Sequence, residues 1–364
     1  MFSRDNHRAV FTLAVLACVG WPLAGAQGQQ PAIPQPDSRP PASTQSANPP
    51  SMITPQGLEL IPSEHGLTFA RAKESYTNLT LEGSELHPQP PLSTDHEKNT
   101  DFERELVRLQ WRTNDPVDLY VVKPPQGQPP PVVLFLDGFP TNLDLYRDNK
   151  LCKYLVKNGT AAVGFESAHT GYRAERGPRN LSFAKVLPES LTVTVHDIQL
   201  ILNYLEKRGD LDMTRVGMFA EGSGGAIAIL AAATDHRLKA IDLLNPWGDW
   251  PDWLAKSSVV PKEERDNYLK PEFLRQVAPL DPVLYLAKLT SCAVRMQFWD
   301  DDFSRAKETK EAAVKLEAAA PATAKIAHYP SPLAMSGTAA QGSLFEWLAA
   351  TLSSPKVRLG GKGL

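Results

Sequence analysis

Short apolar runs alternate with helical patterns along the chain from about Phe102 onward. The runs predicted as strands are PVVLFLDGFP, TAAVGFES, RVGMF, KAIDLLN, CAVRMQFW and KIAHYP. The first of them has the continuous apolar stretch that is typical of a strand buried on both faces, as in a parallel sheet. The helical patterns between them include DIQLILNYLEKRG, GGAIAILAAA, RAKETKEAAVKLEAAA and GSLFEWLAATL. This alternation predicts an α/β fold with a doubly wound, mostly parallel sheet of eight strands, which binds ligands at the carboxyl ends of its strands.

Two segments before the first buried run alternate polar and apolar residues. ERELVRLQWR and VDLYVVKPP are therefore predicted to form an antiparallel hairpin. Upstream of them, YTNLTLEG is a candidate strand and HPQPPLSTDHEKN is predicted to be a loop. After the sixth predicted strand, residues 245–280 are predicted to form a short Trp-rich cap insert that begins with NPWGDWPDWLAKS.

The N-terminus has the pattern of an export signal. A positively charged start precedes the apolar stretch Val10–Gly20, and Ala24-Gly25-Ala26 is an A-x-A type cleavage site. The apolar stretch is too short for a spanning helix, which needs about 20 residues. We therefore predict that residues 1–26 are a signal peptide and that the mature chain begins at Gln27, in the periplasm or outside the cell. A lipoprotein-like stretch ending at Cys18 leaves a lipid anchor as the less favoured alternative.

Composition divides the remaining chain. Residues 27–57 are rich in Pro, Gln and Ser and are predicted to be a disordered linker. Residues 58–101 form an N-terminal extension, and residues 102–355 form the main domain, which includes the cap insert. A formal net charge of -3 gives no reason to expect nucleic acid as a partner. After cleavage the cysteines are Cys152 and Cys292, and both a disulfide and two buried thiols remain open.

The segment RVGMFAEGSGGAIAIL passes from strand to helix through a turn of small residues. Together with VVLFLDGFP, VRMQFWDDD and IAHYPSPLA, in this order and spacing, it resembles the α/β-hydrolase superfamily. The resemblance extends over about Phe102 to Leu352 and is greatest to the dienelactone-hydrolase and prolyl-oligopeptidase-like branches. It implies a nucleophile elbow of the pattern G-x-S-x-G, followed along the chain by an acid and a histidine.

The resemblance assigns the three catalytic positions to residues of this chain. Gly222 falls on the nucleophile position and Ala334 on the histidine position, whereas Asp302 keeps the acid. Ser223 follows Gly222 and is the remaining candidate nucleophile, although it is better placed to open the helix, as a cap or against a neighbour.

Two functions are compatible with these positions. A third, a tethered scaffold, is supported only by the Pro-rich arm. The favoured interpretation is an exported hydrolase-like protein with an impaired triad, which binds a ligand at the carboxyl ends of the strands. The alternative is an active esterase or peptidase that uses Ser223 with a distant histidine or Glu221 as its base. We predict no cofactor, no nucleic-acid partner and no membrane span; the ligand would be a small molecule, a sugar or a peptide.

Candidate ligand-binding residues follow the predicted strands or lie in the cap: Asp137, Phe139, Glu166, Glu221, Trp247, Trp250 and Trp299. Several carboxylates at one sheet edge repel each other unless a cation or an arginine compensates them. The site is therefore expected either to bind a cationic ligand, with Ca²⁺ or Mg²⁺ as candidates, or to be neutralised by Arg173, Arg176 and Arg179, which is the favoured interpretation. The tryptophans are expected either to line a ligand site or to hold the cap on the sheet.

Overall fold

A computed structural model of the chain describes residues 60–63, 66–69, 73–139, 142–176, 182–299, 310–335 and 343–354. The predicted signal peptide (residues 1–26) and the predicted linker (residues 27–57) lie entirely outside these residues. The described strands are β1 (Leu60–Ser63), β2 (Gly66–Phe69), β3 (Leu92–Lys98), β4 (Glu103–Leu109), β5 (Val117–Lys123), β6 (Pro131–Leu136), β7 (Ala161–Phe165), β8 (Asp212–Glu221), β9 (Leu238–Leu244), β10 (Ala293–Trp299) and β11 (Lys325–Tyr329).

Among the described residues, nine strands form one sheet in the order β11-β10-β9-β8-β6-β7-β5-β4-β3. The strands from β6 to β11 pair in parallel, whereas β3, β4 and β5 pair antiparallel and form one edge. Strands β1 and β2 form a separate antiparallel pair. The predicted α/β class and mostly parallel sheet are therefore confirmed.

The sheet has nine strands rather than the predicted eight. The additional strand is β3, which lies in the segment predicted as a loop, whereas the candidate strand YTNLTLEG forms bends and turns. Six of the seven β3 residues are exposed, because β3 is an edge strand with solvent on both faces. Such a strand lacks hydrophobic alternation, so only its backbone pairing with β4 identifies it.

Helices cover both faces of the sheet. They are α1 (Asn149–Val156), α2 (Gly171–Arg176), α3 (Phe183–Arg208), α4 (Ser223–Thr234), α5 (Trp250–Lys256), α6 (Arg265–Tyr268), α7 (Pro271–Val277), α8 (Val283–Leu286), α9 (Lys310–Ala319) and α10 (Ser343–Ser353). One core joins α3, α4 and the cap to one face of the sheet, and the other joins α1 and α10 to the opposite face. Burial of these apolar faces positions the loops at the carboxyl ends of the strands.

Among the described residues, Cys152 and Cys292 are free and buried, so the structure favours two thiols over a disulfide. Burial raises the pKa of Cys152 to about 11 and the pKa of Cys292 to about 12. Within the described part of the chain, no helix is both long enough and apolar enough to cross a membrane.

Candidate functional site

The turn between β8 and α4 places Gly222 at its apex. The backbone of Gly222 has φ 55° and ψ -116°, a conformation that side chains rarely adopt and that glycine accepts. Its N–H donates to the Leu244 carbonyl at 2.9 Å, and its carbonyl accepts from the Trp247 N–H at 3.0 Å. The apex is therefore held against the end of β9.

The space above Gly222 is bounded by the indole of Trp247. A Cβ atom added at Gly222 would lie 3.3 Å from Trp247 Nε1 and 3.4 Å from Trp247 Cε2. A side chain at this position would have to displace the indole slightly and adopt a strained backbone. The residue at the apex thus contributes backbone groups alone.

Ser223 is the first residue of α4 and is completely buried. Its Oγ accepts a hydrogen bond from the backbone N–H of Phe139 at 2.8 Å. Phe139 lies just beyond the end of β6, so this bond joins the first turn of α4 to the loop after a neighbouring strand. The expectation that Ser223 opens the helix is confirmed, and its hydroxyl contacts a neighbouring loop.

Three described histidines that could serve as the distant base have partners elsewhere. His196 is buried in α3, with Nδ1 2.6 Å from Glu74 Oε1 and Nε2 2.8 Å from the Asn78 carbonyl. His169 lies near Glu189, and His328 lies on edge strand β11 near Glu317. No hydrogen bond joins Ser223 to a histidine or to Glu221 in the described residues.

The segment that the resemblance aligns with the catalytic histidine contains Ala334 and lies beside the end of β10. Ala334 is in a short helical turn, where its N–H donates to Ser331 Oγ at 3.1 Å. Trp299 at the end of β10 is buried, and its indole N–H lies 3.1 Å from the sulfur of Met335. The predicted acid Asp302 lies outside the described residues, as do its neighbours Asp300 and Asp301.

Asp137 and Glu221 follow the ends of adjacent parallel strands. Leu136 pairs with Ala220 in the β6–β8 register, so the next residues, Asp137 and Glu221, emerge side by side on the same face. Burial raises the pKa of Asp137 to about 7. Burial, reinforced by the charge of Asp137, raises the pKa of Glu221 to about 8. The two carboxyl groups therefore retain a proton near neutral pH.

Glu166 has a different environment, although it also follows a central strand. Its carboxylate accepts from the backbone N–H groups of Leu143 and Arg173, each at 3.3 Å. Burial raises the pKa of Glu166 to about 6, and these hydrogen bonds limit the shift. The Arg173 guanidinium pairs with Asp115 and Asp197 and donates to the Glu166 carbonyl at 3.1 Å.

Arg173 does not provide the expected neutralisation of Asp137 and Glu221. Arg173, on α2, forms its ion pairs with Asp115 and Asp197 instead. The Arg176 side chain and Arg179 lie outside the described residues. Among the described residues no group of three or more His, Cys, Asp or Glu side chains is arranged to hold a metal ion.

The aromatic residues of the cap fall into two classes. Trp250 is completely buried and its indole N–H donates to the Leu280 carbonyl at 3.0 Å, so its position is that of a core residue. Trp247 is partly exposed, and its ring centroid lies 4.5 Å from that of the buried Trp253. Phe139 is also partly exposed; Phe183 packs between the two, with centroids 4.8 Å from Phe139 and 5.6 Å from Trp247.

Solved structures share this arrangement of strands and helices. An acetyl xylan esterase from Paenibacillus sp. R4 is 16% identical, with a TM-score of 0.54 over 76% of this chain and 90% of its own. Acetyl xylan esterase 1 from Thermoanaerobacterium sp. JW/SL YS485 is 14% identical, with a TM-score of 0.54 over 74% of this chain and 89% of its own. An S-formylglutathione hydrolase from Agrobacterium tumefaciens is 13% identical, with a TM-score of 0.51 over 71% of this chain and 99% of its own.

This is the α/β-hydrolase fold. At these identities the likeness concerns the fold alone. No protein-family model matches the chain, and no curated protein matches it.

The α/β-hydrolase fold gives the elbow residues a reference geometry. In active members the serine occupies the apex, and the oxyanion hole combines the N–H of the next residue with an N–H from a loop after an earlier strand. Gly222 lies at that apex here and Ser223 is the next residue. Phe139 lies in the loop after β6, and its N–H donates to Ser223 Oγ.

Two residues of the site were missed by sequence reasoning. Tyr146 lies in the 3₁₀-helical turn Leu143–Arg147, is buried, and is close enough to Asp137 for the carboxylate to help burial raise the pKa of its phenol. Phe183 opens α3 and bridges Phe139 to Trp247. Nothing in their local sequence distinguishes them from core aromatics, because their role arises from contacts between distant segments.

Proposed function

We propose that this α/β-hydrolase-fold protein binds a ligand at the carboxyl ends of its central strands and does not hydrolyse esters or peptides through a serine. The observation that carries the proposal is the hydrogen bond from the Phe139 N–H to the buried Ser223 Oγ beside an apex formed by Gly222. This bond supports a binding role because it occupies both the Ser223 hydroxyl and the Phe139 N–H. Serine catalysis would need both groups to be free.

Serine catalysis requires an exposed oxygen next to a base and to N–H donors aimed at the developing oxyanion. Ser223 Oγ is completely buried and accepts from a donor of the kind that would otherwise face an oxyanion. In the described residues it has no histidine as a hydrogen-bond partner. Without a base, a serine hydroxyl near its free pKa is a weak nucleophile.

A fluorophosphonate probe tests this proposal, because it reacts covalently with activated serines. We expect no stoichiometric labelling of the purified chain, under conditions in which an active serine hydrolase is labelled completely. Ser223→Ala is the diagnostic variant, and Ser190→Ala is its matched control. Ser190 lies in α3 and is equally buried, but its hydroxyl donates to the carbonyl of Ala168. Labelling that survives in Ser190→Ala and is lost in Ser223→Ala would overturn the proposal.

A second candidate function is hydrolysis by Ser223 with Glu221 as the base. The observation in its favour is that burial raises the pKa of Glu221 to about 8, which makes its carboxylate more basic than an ordinary one. This candidate requires turnover of a p-nitrophenyl acetate substrate that disappears in both Ser223→Ala and Glu221→Gln. We expect neither variant to change the background rate.

We also propose that the protein is exported to the periplasm or beyond the cell. The support is the charged start, the apolar stretch Val10–Gly20 and the cleavage site at Ala26. Intact-mass measurement of the chain from a secreting host should give a mature protein that begins at Gln27. A lipid-modified N-terminus at Cys18 would instead support anchoring, and an uncleaved chain in the cytoplasm would contradict export.

A further inference from the structure

Two completely buried carboxylates elsewhere in the described residues have cationic partners. Asp197 is completely buried and forms ion pairs with Arg112 and Arg173. Asp242 is completely buried and pairs with Arg295 at 2.5 Å. At these two positions a guanidinium offsets the cost of desolvating the negative charge.

Within the described part of the chain, Asp137 and Glu221 are partly exposed and lack this compensation, and the buried Glu166 accepts from backbone N–H groups instead. In the described residues neither side chain has an ion pair, and Asp137 Oδ1 is buried with no hydrogen-bond partner. The β6–β8 register places the two side by side at the carboxyl end of the sheet, next to the Gly222 apex. A buried carboxylate oxygen that lacks a partner in the protein is a group that a ligand can satisfy.

Aromatic side chains border Gly222. Trp247 borders the position that a Cβ of Gly222 would occupy, and Phe139 is connected to it through Phe183. Both Trp247 and Phe139 are partly exposed, unlike Trp250 and Trp253. Aromatic faces of this kind attract flat apolar groups and cations.

We propose that this site binds an organic ammonium ion that carries a flat apolar group, with the ammonium against Asp137 and Glu221 and the apolar group against Trp247. This inference rests on the proposed binding function and specifies its ligand class. Gly222 directly follows Glu221 in the chain, and the Trp247 indole borders the space that a side chain at Gly222 would occupy. An ammonium donates hydrogen bonds that satisfy carboxylate oxygens, and its charge supplies the compensation that arginines provide elsewhere.

The described residues favour an organic cation over a metal ion. Calcium takes six to eight oxygen ligands, roughly, whereas the pair offers two carboxylates. No group of three or more candidate metal ligands occurs in the described residues. The neighbouring aromatic rings add nothing to a metal site but complement an apolar group.

The test is calorimetric titration of the full mature chain with three probes at pH 8: phenethylamine, its neutral analogue 2-phenylethanol, and ethylamine, which lacks the ring. We expect phenethylamine to bind about tenfold more tightly than either of the others, since each loses one of the two contacts. Equal affinity for 2-phenylethanol would assign a neutral ligand to the site and overturn the inference, as would no binding of phenethylamine at millimolar concentration.

Variants locate the contacts. Asp137→Asn and Glu221→Gln should each weaken phenethylamine binding about fivefold or more and leave binding of 2-phenylethanol unchanged. Trp247→Leu should weaken the binding of phenethylamine but not the binding of ethylamine. Glu272→Gln is the control, because that exposed carboxylate pairs with Arg275 on α7. Wild-type affinity in both carboxyl variants, with thermal unfolding showing that they are folded, would overturn the inference.

The outcome is separable from that of the proposed function. Phenethylamine that fails to bind a chain without fluorophosphonate labelling would refute the ligand class and leave the binding role in place. Labelling that depends on Ser223 would refute the binding role whatever the probes do.

Discussion

Asp137 and Glu221 illustrate how a single strand register changes the chemistry of ordinary side chains. Each follows an apolar strand, and each would titrate normally in water. Placed next to each other and partly shielded from solvent, they have pKa values of about 7 and about 8, raised by burial and, for Glu221, by the charge of its neighbour. At the residue scale, the site is defined by two carboxyl groups that form no ion pair with any described residue.

The titration of this pair should make the stability of the fold depend on pH. The pKa values of both groups are higher in the folded chain than the ordinary carboxyl value of about 4, so the folded state holds protons that the unfolded state has released. Their contribution is present below about pH 4 and is lost as the pH rises through about 7 to 8. We therefore expect the free energy of unfolding, measured by urea denaturation, to fall between pH 5 and pH 8 by a few kcal/mol, on the order of 1 kcal/mol per pH unit.

The double variant Asp137→Asn/Glu221→Gln should flatten this dependence, whereas Glu272→Gln should leave it unchanged. Other groups near the pair do not reverse the sign. Burial raises the pKa of Glu166 to about 6, which adds to the same trend. The pKa of Tyr146 is raised well above its usual range, mainly by burial, so its phenol stays neutral. An unchanged slope in the double variant would show that the pair titrates normally.

At the scale of elements, the elbow depends on how closely α4 approaches the strands beneath it. A Cβ atom added at Gly224 would lie 2.3 Å from the Leu136 carbonyl oxygen, and one added at Gly225 would lie 2.9 Å from Pro246 Cα. Both neighbours are backbone or ring atoms that have little freedom to move. The glycines after Gly222 are therefore required by helix–strand packing, independently of any chemistry at the apex.

Gly224→Ala should consequently destabilise the chain by about 3 kcal/mol, because the new methyl group overlaps the end of β6. The measurement is the free energy of unfolding in urea. Ala233→Ser, near the end of the same helix, is the matched control and should cost less than about 1 kcal/mol. A cost for Gly224→Ala as small as that of the control would show that α4 can move away from β6.

At the scale of the whole molecule, a buried ionic network joins three distant segments. Arg112 after β4 pairs with Asp197 in α3 and with Glu74 in the segment before β3. His196 in α3 also contacts Glu74. The sequence provides no periodic signal for such contacts, because charged residues in separate segments acquire partners only when the chain folds. The sequence pattern accordingly left residues 58–99 without a clear assignment.

The sequence by itself determined the class of fold, the order of the central strands and helices, and the glycine at the elbow, because buried parallel strands and tight turns leave strong local patterns. The tertiary structure decided what those residues contact: the Ser223 hydroxyl against the Phe139 N–H, Trp250 in the core but Trp247 at the surface, and Asp137 beside Glu221. It also decided that β3 is a strand. These features depend on strand register and on packing between distant segments, which local sequence does not encode.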